Sequence, residues 1–153
     1  MIISAEAILG IAVAIENNGI EFYEKAGKTV DDASFLDFLI EEEKRHIEVF
    51  QDLFAQGGKL GQIQLDHPHL DEEALIAAYA ETEVFGRESA DDLGPEALID
   101  VGIRMEKNSI LFYSELIDLV DAKHQDEAKL LRQIREEERK HLKLFLDKKR
   151  AAA

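Results

Sequence analysis

The stretch EEEKRHIEVF, residues 41–50, returns almost unchanged as EEERKHLKLF at residues 136–145. Each copy carries Glu-x-x-His, Glu43 with His46 and Glu138 with His141, and an aromatic one turn later, Phe50 and Phe145. On an α-helix, residues three apart sit about 60° apart around the axis and one turn along it, so carboxylate and imidazole face the same neighbour. Steps of three and four continue outward from both copies: Phe35, Leu39, Glu43, His46, Phe50, Leu53 in the first, and Leu131, Ile134, Glu138, His141, Phe145 in the second. That spacing predicts two amphipathic helices whose inward stripe contains acid and imidazole. A lone Glu-x-x-His is weak in so glutamate-rich a chain, because about one arises by chance and a surface contact explains it. Two copies with matching neighbours need a structural reason.

The segments ahead of the two copies also repeat. AIENNGIEFYEKA (14–26) lies over RMEKNSILFYSEL (104–116) at an offset of 90, placing Glu16 over Glu106 and Phe22-Tyr23 over Phe112-Tyr113. The Glu-x-x-His copies are offset by 95, the extra residues fitting a longer loop or helix start. The expected stripes read Leu9, Ala12/Val13, Glu16, Ile20, Tyr23 and Ile99, Gly102/Ile103, Glu106, Ile110, Tyr113, Ile117.

Capping signals predict four helices, at about 5–28 after Ser4, 32–57 after Asp31/Asp32 and before Gly57-Gly58, 95–120 opened by Gly94-Pro95, and 124–148. Helices of about 25 residues are close to 40 Å long. The connection 58–94 is long enough to travel back along one. Its GGKLGQIQLDHPHL portion reads as loop, and about Asp71 to Phe85 as a short helix. Short loops make helices one and two, and three and four, antiparallel hairpins; the crossover lets helices two and three run parallel. The expected fold is all-α: a four-helix bundle of two repeated hairpins about a pseudo-twofold axis, one domain spanning 1–153.

In that bundle Glu16, Glu43, Glu106 and Glu138 meet near the middle, flanked by His46 and His141. Burying even one uncompensated charge costs several kcal/mol, and like charges add to it. The seam offers no cation, since Lys44, Arg45, Arg139 and Lys140 lie off the stripe. Two divalent metal ions balance four carboxylates. Oxygen and imidazole donors suit iron or manganese, with zinc as a further alternative. Six ligands shared by two metals, with two carboxylates bridging, leave open positions for water or dioxygen.

Tyr23 and Tyr113 follow their seam glutamates by seven residues, on nearly the same face. Each either offers its hydroxyl to a carboxylate of the opposing hairpin or is an ordinary core tyrosine. Phe22, Phe50, Phe112 and Phe145 read as core. Glu41, Glu42, Glu136 and Glu137 are expected in solvent. His67 and His69 decorate a loop around Pro68, His124 stands at a helix start, and Glu81, Glu83 and Glu88 face water or a partner subunit.

The chain has no cysteine, which excludes disulfides, thiolate metal sites and iron–sulfur clusters. A formal charge of −15 disfavours nucleic acid and anionic membrane as partners and favours metal cations. No apolar run is long enough to span a bilayer. MIISAEAILGIAVAIENN lacks a basic start and contains Glu6, so it reads as a helix rather than a secretion signal, and the expected location is cytoplasmic.

One glutamate on each of two helices and Glu-x-x-His on the other two resembles the ferritin-like di-iron carboxylate proteins. AIENNGIEFY with EEEKRHIEVF, both repeated, resembles their rubrerythrin branch over about residues 5 to 147. The resemblance implies that Glu16 and Glu106 are terminal ligands, that Glu43 and Glu138 bridge, and that His46 and His141 each bind one metal. It further implies a homodimer acting as a non-haem di-iron oxidoreductase, which reduces peroxide or dioxygen with electrons from a separate donor protein. The alternatives are a ferroxidase that handles iron, and a metal-stabilised interaction module. Two features depart from the family. Rubrerythrins proper carry a C-terminal rubredoxin domain with a Cys-ligated iron, which is absent here. They also have a further glutamate one turn after the third-helix ligand that exchanges with histidine; here that position is Ser109, with Gly19 as its counterpart.

Overall fold

A computed structural model describes residues 2–66, Ala74, Ala78 and 93–153. Four long helices dominate it: α1 (Ala5–Gly27), α2 (Ser34–Phe54), α3 (Pro95–Asp121) and α4 (Gln125–Ala152). Two short strands, β1 (Ile2–Ser4) and β2 (Gln64–Asp66), accompany them. The helix ends follow the capping chemistry with small shifts. Ser4 is extended and its Oγ accepts from the Ala7 amide at 3.2 Å, starting α1. Asp32 spends its Oδ1 on the amide and hydroxyl of Ser34, at 3.0 and 2.6 Å, so it fixes the turn and the helix begins two residues later than expected. Past Phe54 the chain turns extended at Ala55 and doubles back, with the Leu60 amide donating to the Leu53 carbonyl at 2.7 Å. This reversal is tight enough that a Cβ on Gly58 would lie 2.5 Å from the Asp52 carbonyl oxygen. Pro95 opens α3, where its missing N–H costs nothing. α4 runs four residues beyond the expected end, with Lys149 and Arg150 in a last turn that favours positive charge.

Each helix packs chiefly on its hairpin partner, α1 on α2 and α3 on α4. Contacts between hairpins reveal the direction of the helices. Tyr23 meets Glu106 while Tyr113 meets Glu16, so α1 and α3 run antiparallel. With each hairpin antiparallel, α2 and α3 run parallel, as the long crossover requires. The ribbon was not expected. β1 pairs antiparallel with β2, Ile2 opposite Asp66 and Ser4 opposite Gln64, tying the start of α1 to the crossover. Strands this short show no sequence period.

The apolar core is split in two. One cluster contains Ile8, Ile15, Phe50, Tyr113 and Leu131; the other contains Phe22, Tyr23, Leu36, Leu39, Val101 and Phe145. Between them lie the buried polar residues. The inward stripes are rotated slightly from the expected ones. Leu9, Val13, Ile20, Phe35, Ile99, Ile103 and Ile110 are half-buried, while Ile8, Ile15, Phe22, Leu36, Leu98 and Phe112 take the innermost places. A bundle buries a band wider than one residue, so adjacent phases of the same periodicity both touch it. Of the expected 71–85 helix only Ala74 and Ala78 are described, both helical. His67, His69, Glu81, Glu83 and Glu88 lie outside the described residues. Among those described, no helix is long and apolar enough to cross a membrane.

Candidate metal centre

The rigid rise and twist of each helix carry one carboxylate, or a carboxylate and an imidazole, into the layer between the two apolar clusters. Glu16, Glu43, His46, Glu106, Glu138 and His141 are each at most 3% exposed. Their ligand atoms converge in two overlapping groups, Glu16–Glu43–His46–Glu138 and Glu43–Glu106–Glu138–His141, each within a span of 4.8 Å. Glu43 and Glu138 belong to both groups, whereas Glu16 and Glu106 belong to one each. The imidazoles lie nearly parallel, 5.9 Å apart, and both turn Nδ1 toward the carboxylates. His46 Nδ1 lies 2.8 Å from Glu138, 3.0 Å from Glu43 and 3.6 Å from Glu16. His141 Nδ1 lies 3.4 Å from Glu43, 3.6 Å from Glu106 and 3.7 Å from Glu138.

Closeness here does not amount to hydrogen bonding. Glu43 Oε2, His46 Nδ1, Glu106 Oε2, both oxygens of Glu138 and both ring nitrogens of His141 are buried without a hydrogen-bond partner. Leaving one such atom unpaired costs about 1–3 kcal/mol, more when charged, so a cluster of them in one layer is a strong departure from ordinary packing. Oxygen and nitrogen donors converging on shared points are what divalent cations satisfy. The residues present therefore fit two metal ions.

The electrostatics of the ion-free cluster show the same tension. Burial, then Glu43 and Glu138, hold the Glu16 carboxyl well above the usual carboxylate value; burial and Glu138 do so for Glu106. Burial pushes Glu138 upward too, but the imidazoles of His141 and His46 outweigh it and bring the group down to about 2. Burial alone would lower both histidines, yet the surrounding carboxylates raise His46 strongly and His141 to about 12. Protons stand in these positions for the positive charge the site demands.

The two tyrosines reach across the bundle. The Tyr23 hydroxyl donates to Glu106 Oε1 at 2.5 Å, and the Tyr113 hydroxyl donates to Glu16 Oε1. Burial, then the neighbouring carboxylates, raise both phenols well above their ordinary value, so both remain protonated donors. Ser109 is buried, but its Oγ donates to the Met105 carbonyl at 3.1 Å and so serves its own helix. Beside Gly19, Tyr23 and Glu43 would lie in ordinary contact with any added Cβ.

Glu41 and Glu136 are exposed as expected. Neither Glu42 nor Glu137 is the solvated residue the spacing suggested: the Glu42 side chain, 26% exposed, accepts from Arg45, and Glu137 stands behind His46. The Glu137 side chain is 26% exposed, its Oε2 lies 2.9 Å from His46 Nε2, and Arg45 pairs with the same oxygen from α2. Burial raises the Glu137 carboxyl, but His46 and Arg45 outweigh it and hold the group below its usual value. One signal in sequence pointed this way: Glu137 and Arg45 sit beside their motifs' ligands, next to the inward face. His124 stands at the N-terminal boundary of α4 without a side-chain capping bond.

The family profile described as Rubrerythrin matches residues 7–149 of the chain. No curated protein and no solved structure matches it.

Proposed function

The chain belongs to the rubrerythrin family, and from that premise we propose that it is a dinuclear metal protein, with iron as its metal, acting as an oxidoreductase on peroxide or dioxygen. The observation that carries this reading is the pair of overlapping ligand groups sharing Glu43 and Glu138, with their buried, unpartnered atoms. Glu16 and His46 would serve one metal, Glu106 and His141 the other, and Glu43 and Glu138 both. Bound there, the metal pair supplies redox equivalents and Lewis acidity to a small oxygen species. The chain's own residues hold the geometry and exclude water. Phe50 and Phe145 close the layer from either side, and the two tyrosines hold the terminal glutamates in place while keeping their own protons. Reduction to water takes two electrons and two protons for peroxide and four of each for dioxygen; the electrons must come from outside, and a separate donor protein would meet that need. The expected partner state is a homodimer.

A second reading has an observation in its favour. Rubrerythrins proper carry an extra glutamate where this chain has Ser109, and Ser109 is committed to the Met105 carbonyl. Ligand exchange at that position is unavailable, which favours oxidation of Fe(II) as substrate over rapid peroxide turnover.

Metal analysis and stopped-flow absorbance of the Fe(II)-loaded protein test both. Glu43→Ala and Glu138→Ala should lose both ions, Glu16→Ala one, and Glu41→Ala none; equal metal content in all four sinks the assignment. Oxidation much faster with peroxide than with dioxygen supports the first reading, and the reverse supports the second.

A further inference from the structure

The repeat makes the two halves of the centre directly comparable, and they differ. At the offset of 95, Glu137 corresponds to Glu42, Arg45 to Lys140 and Phe38 to Gln133. A true twofold would place Glu42 behind His141 as Glu137 stands behind His46. Instead Glu42 Oε2 accepts from Arg45 at 3.3 Å, on the same arginine that pairs with Glu137. One guanidinium thus gathers both carboxylates to the His46 side, where Glu137 meets Nε2 at 2.9 Å. Among the described residues the other half has no such arrangement. His141 Nε2 is buried with no hydrogen-bond partner, and the half-exposed ring of Phe38 stands edge-on to the imidazole, centroids 6.2 Å apart.

A carboxylate that accepts the second N–H of a ligating imidazole fixes the tautomer and ring orientation, and makes the first nitrogen a better donor. An arginine paired with that carboxylate holds it in turn, because charge-assisted bonds of this kind are the strong ones. His46 has both supports. His141 has an aromatic edge, which restrains the ring sterically and does nothing for its basicity.

From this asymmetry, and resting on the dinuclear reading above, we infer that the two metal positions are unequal. Glu137, held by Arg45, is a positioning residue that makes the Glu16/His46 position the tight one; the Glu106/His141 position is the one that gives up and regains its ion.

The test uses the full chain loaded with Co(II), whose ligand-field bands report each site, and a chelator to remove the metal. Two ions should bind and leave in two phases, and crystals of half-depleted protein should show the anomalous peak beside Glu16 and His46. Glu137→Ala should weaken retention of the tight ion by about 10- to 100-fold, the range for such supporting partners, and leave the loose ion unchanged. Glu137→Gln, which keeps an acceptor without charge, should fall between. Arg45→Ala should shift the same phase in the same direction. Two ions leaving in one phase, a residual peak beside His141, or Glu137→Ala weakening both ions equally would each overturn the inference and leave the dinuclear centre standing. A wild-type protein that binds no ion would overturn the centre itself, and the inference with it.

Discussion

Glu106→Gln exchanges one oxygen for an amide nitrogen, and its effect on stability should reverse sign between metal-free and metal-loaded protein. Glu106 is 1% exposed; its Oε1 accepts from Tyr23 and its Oε2 has no hydrogen-bond partner, with His141 Nδ1 3.6 Å away. Burial and Glu138 hold its carboxyl above the ordinary value of 4.5. Near neutral pH the folded metal-free chain must therefore keep a buried charge or hold a proton that the unfolded chain has released. Either state costs stability, about 1.4 kcal/mol for each pH unit of mismatch. Glutamine retains the Tyr23 bond and removes the mismatch. Relief of a poorly compensated buried charge is worth about 1–4 kcal/mol. At about 2 kcal/mol, and 2–4 °C per kcal/mol for a chain of this size, Tm in chelator should rise by about 4–8 °C. With metal present the same change removes a ligand from the Glu106/His141 group. An ion present at 100 times its Kd stabilises by about 2.7 kcal/mol; losing that outweighs the gain of about 2 kcal/mol by about 0.7 kcal/mol, so the loaded variant should melt about 1–3 °C below loaded wild type. Calorimetry with and without chelator reads both effects. Tyr23→Phe is the control: it breaks the same hydrogen bond without touching the charge and should cost about 1 kcal/mol in either condition. If Glu106→Gln in chelator merely loses stability as Tyr23→Phe does, the electrostatic reasoning fails.

The ion-free pH dependence has a definite sign. Glu16, Glu106, His46 and His141 all hold protons in the folded state above the pH at which the unfolded chain releases them, so the stability they contribute at low pH drains away as pH rises. Glu138, brought down to about 2, acts oppositely, but only between about 2 and its ordinary 4.5. Metal-free protein should therefore lose stability from about pH 5 to 9, by about 1.4 kcal/mol per pH unit for each extra proton held. Metal affinity should climb over the same range as protons leave the ligands. Urea melts in chelator and calorimetric titrations at two pH values check this; flat stability contradicts it. Packing gives a separate prediction at Gly102, where an added Cβ would lie 2.5 Å from Phe145 Cε1. Phe145 is 2% exposed and wedged between Tyr23 and Phe35, so it cannot swing aside. Gly102→Ala should cost about 1–2 kcal/mol net despite alanine's better helix propensity, and unchanged urea stability would show the ring has room.

Much of this protein is legible in its sequence because helix geometry is local. A fixed rise and twist put Glu43 and His46 on one face whatever surrounds them, and the second copy repeats that geometry at Glu138 and His141. Loop lengths then limit how the hairpins join, and the excess of acid in an apolar seam implies cations. Other features depend on how far each helix is rotated and how the two hairpins are registered against each other, and spacing along one helix does not encode that. Only the assembled bundle shows that Glu43 and Glu138 lie in both ligand groups, that both imidazoles turn Nδ1 inward, and that each tyrosine reaches the opposite hairpin's glutamate. Only there does Glu137 leave solvent to stand behind His46 while its repeat mate Glu42 does not stand behind His141. Periodicity along a helix determined which side chains face inward; packing between helices decided which of them meet, because contacts across a bundle depend on rotations of a few tens of degrees that a period of 3.6 residues leaves free.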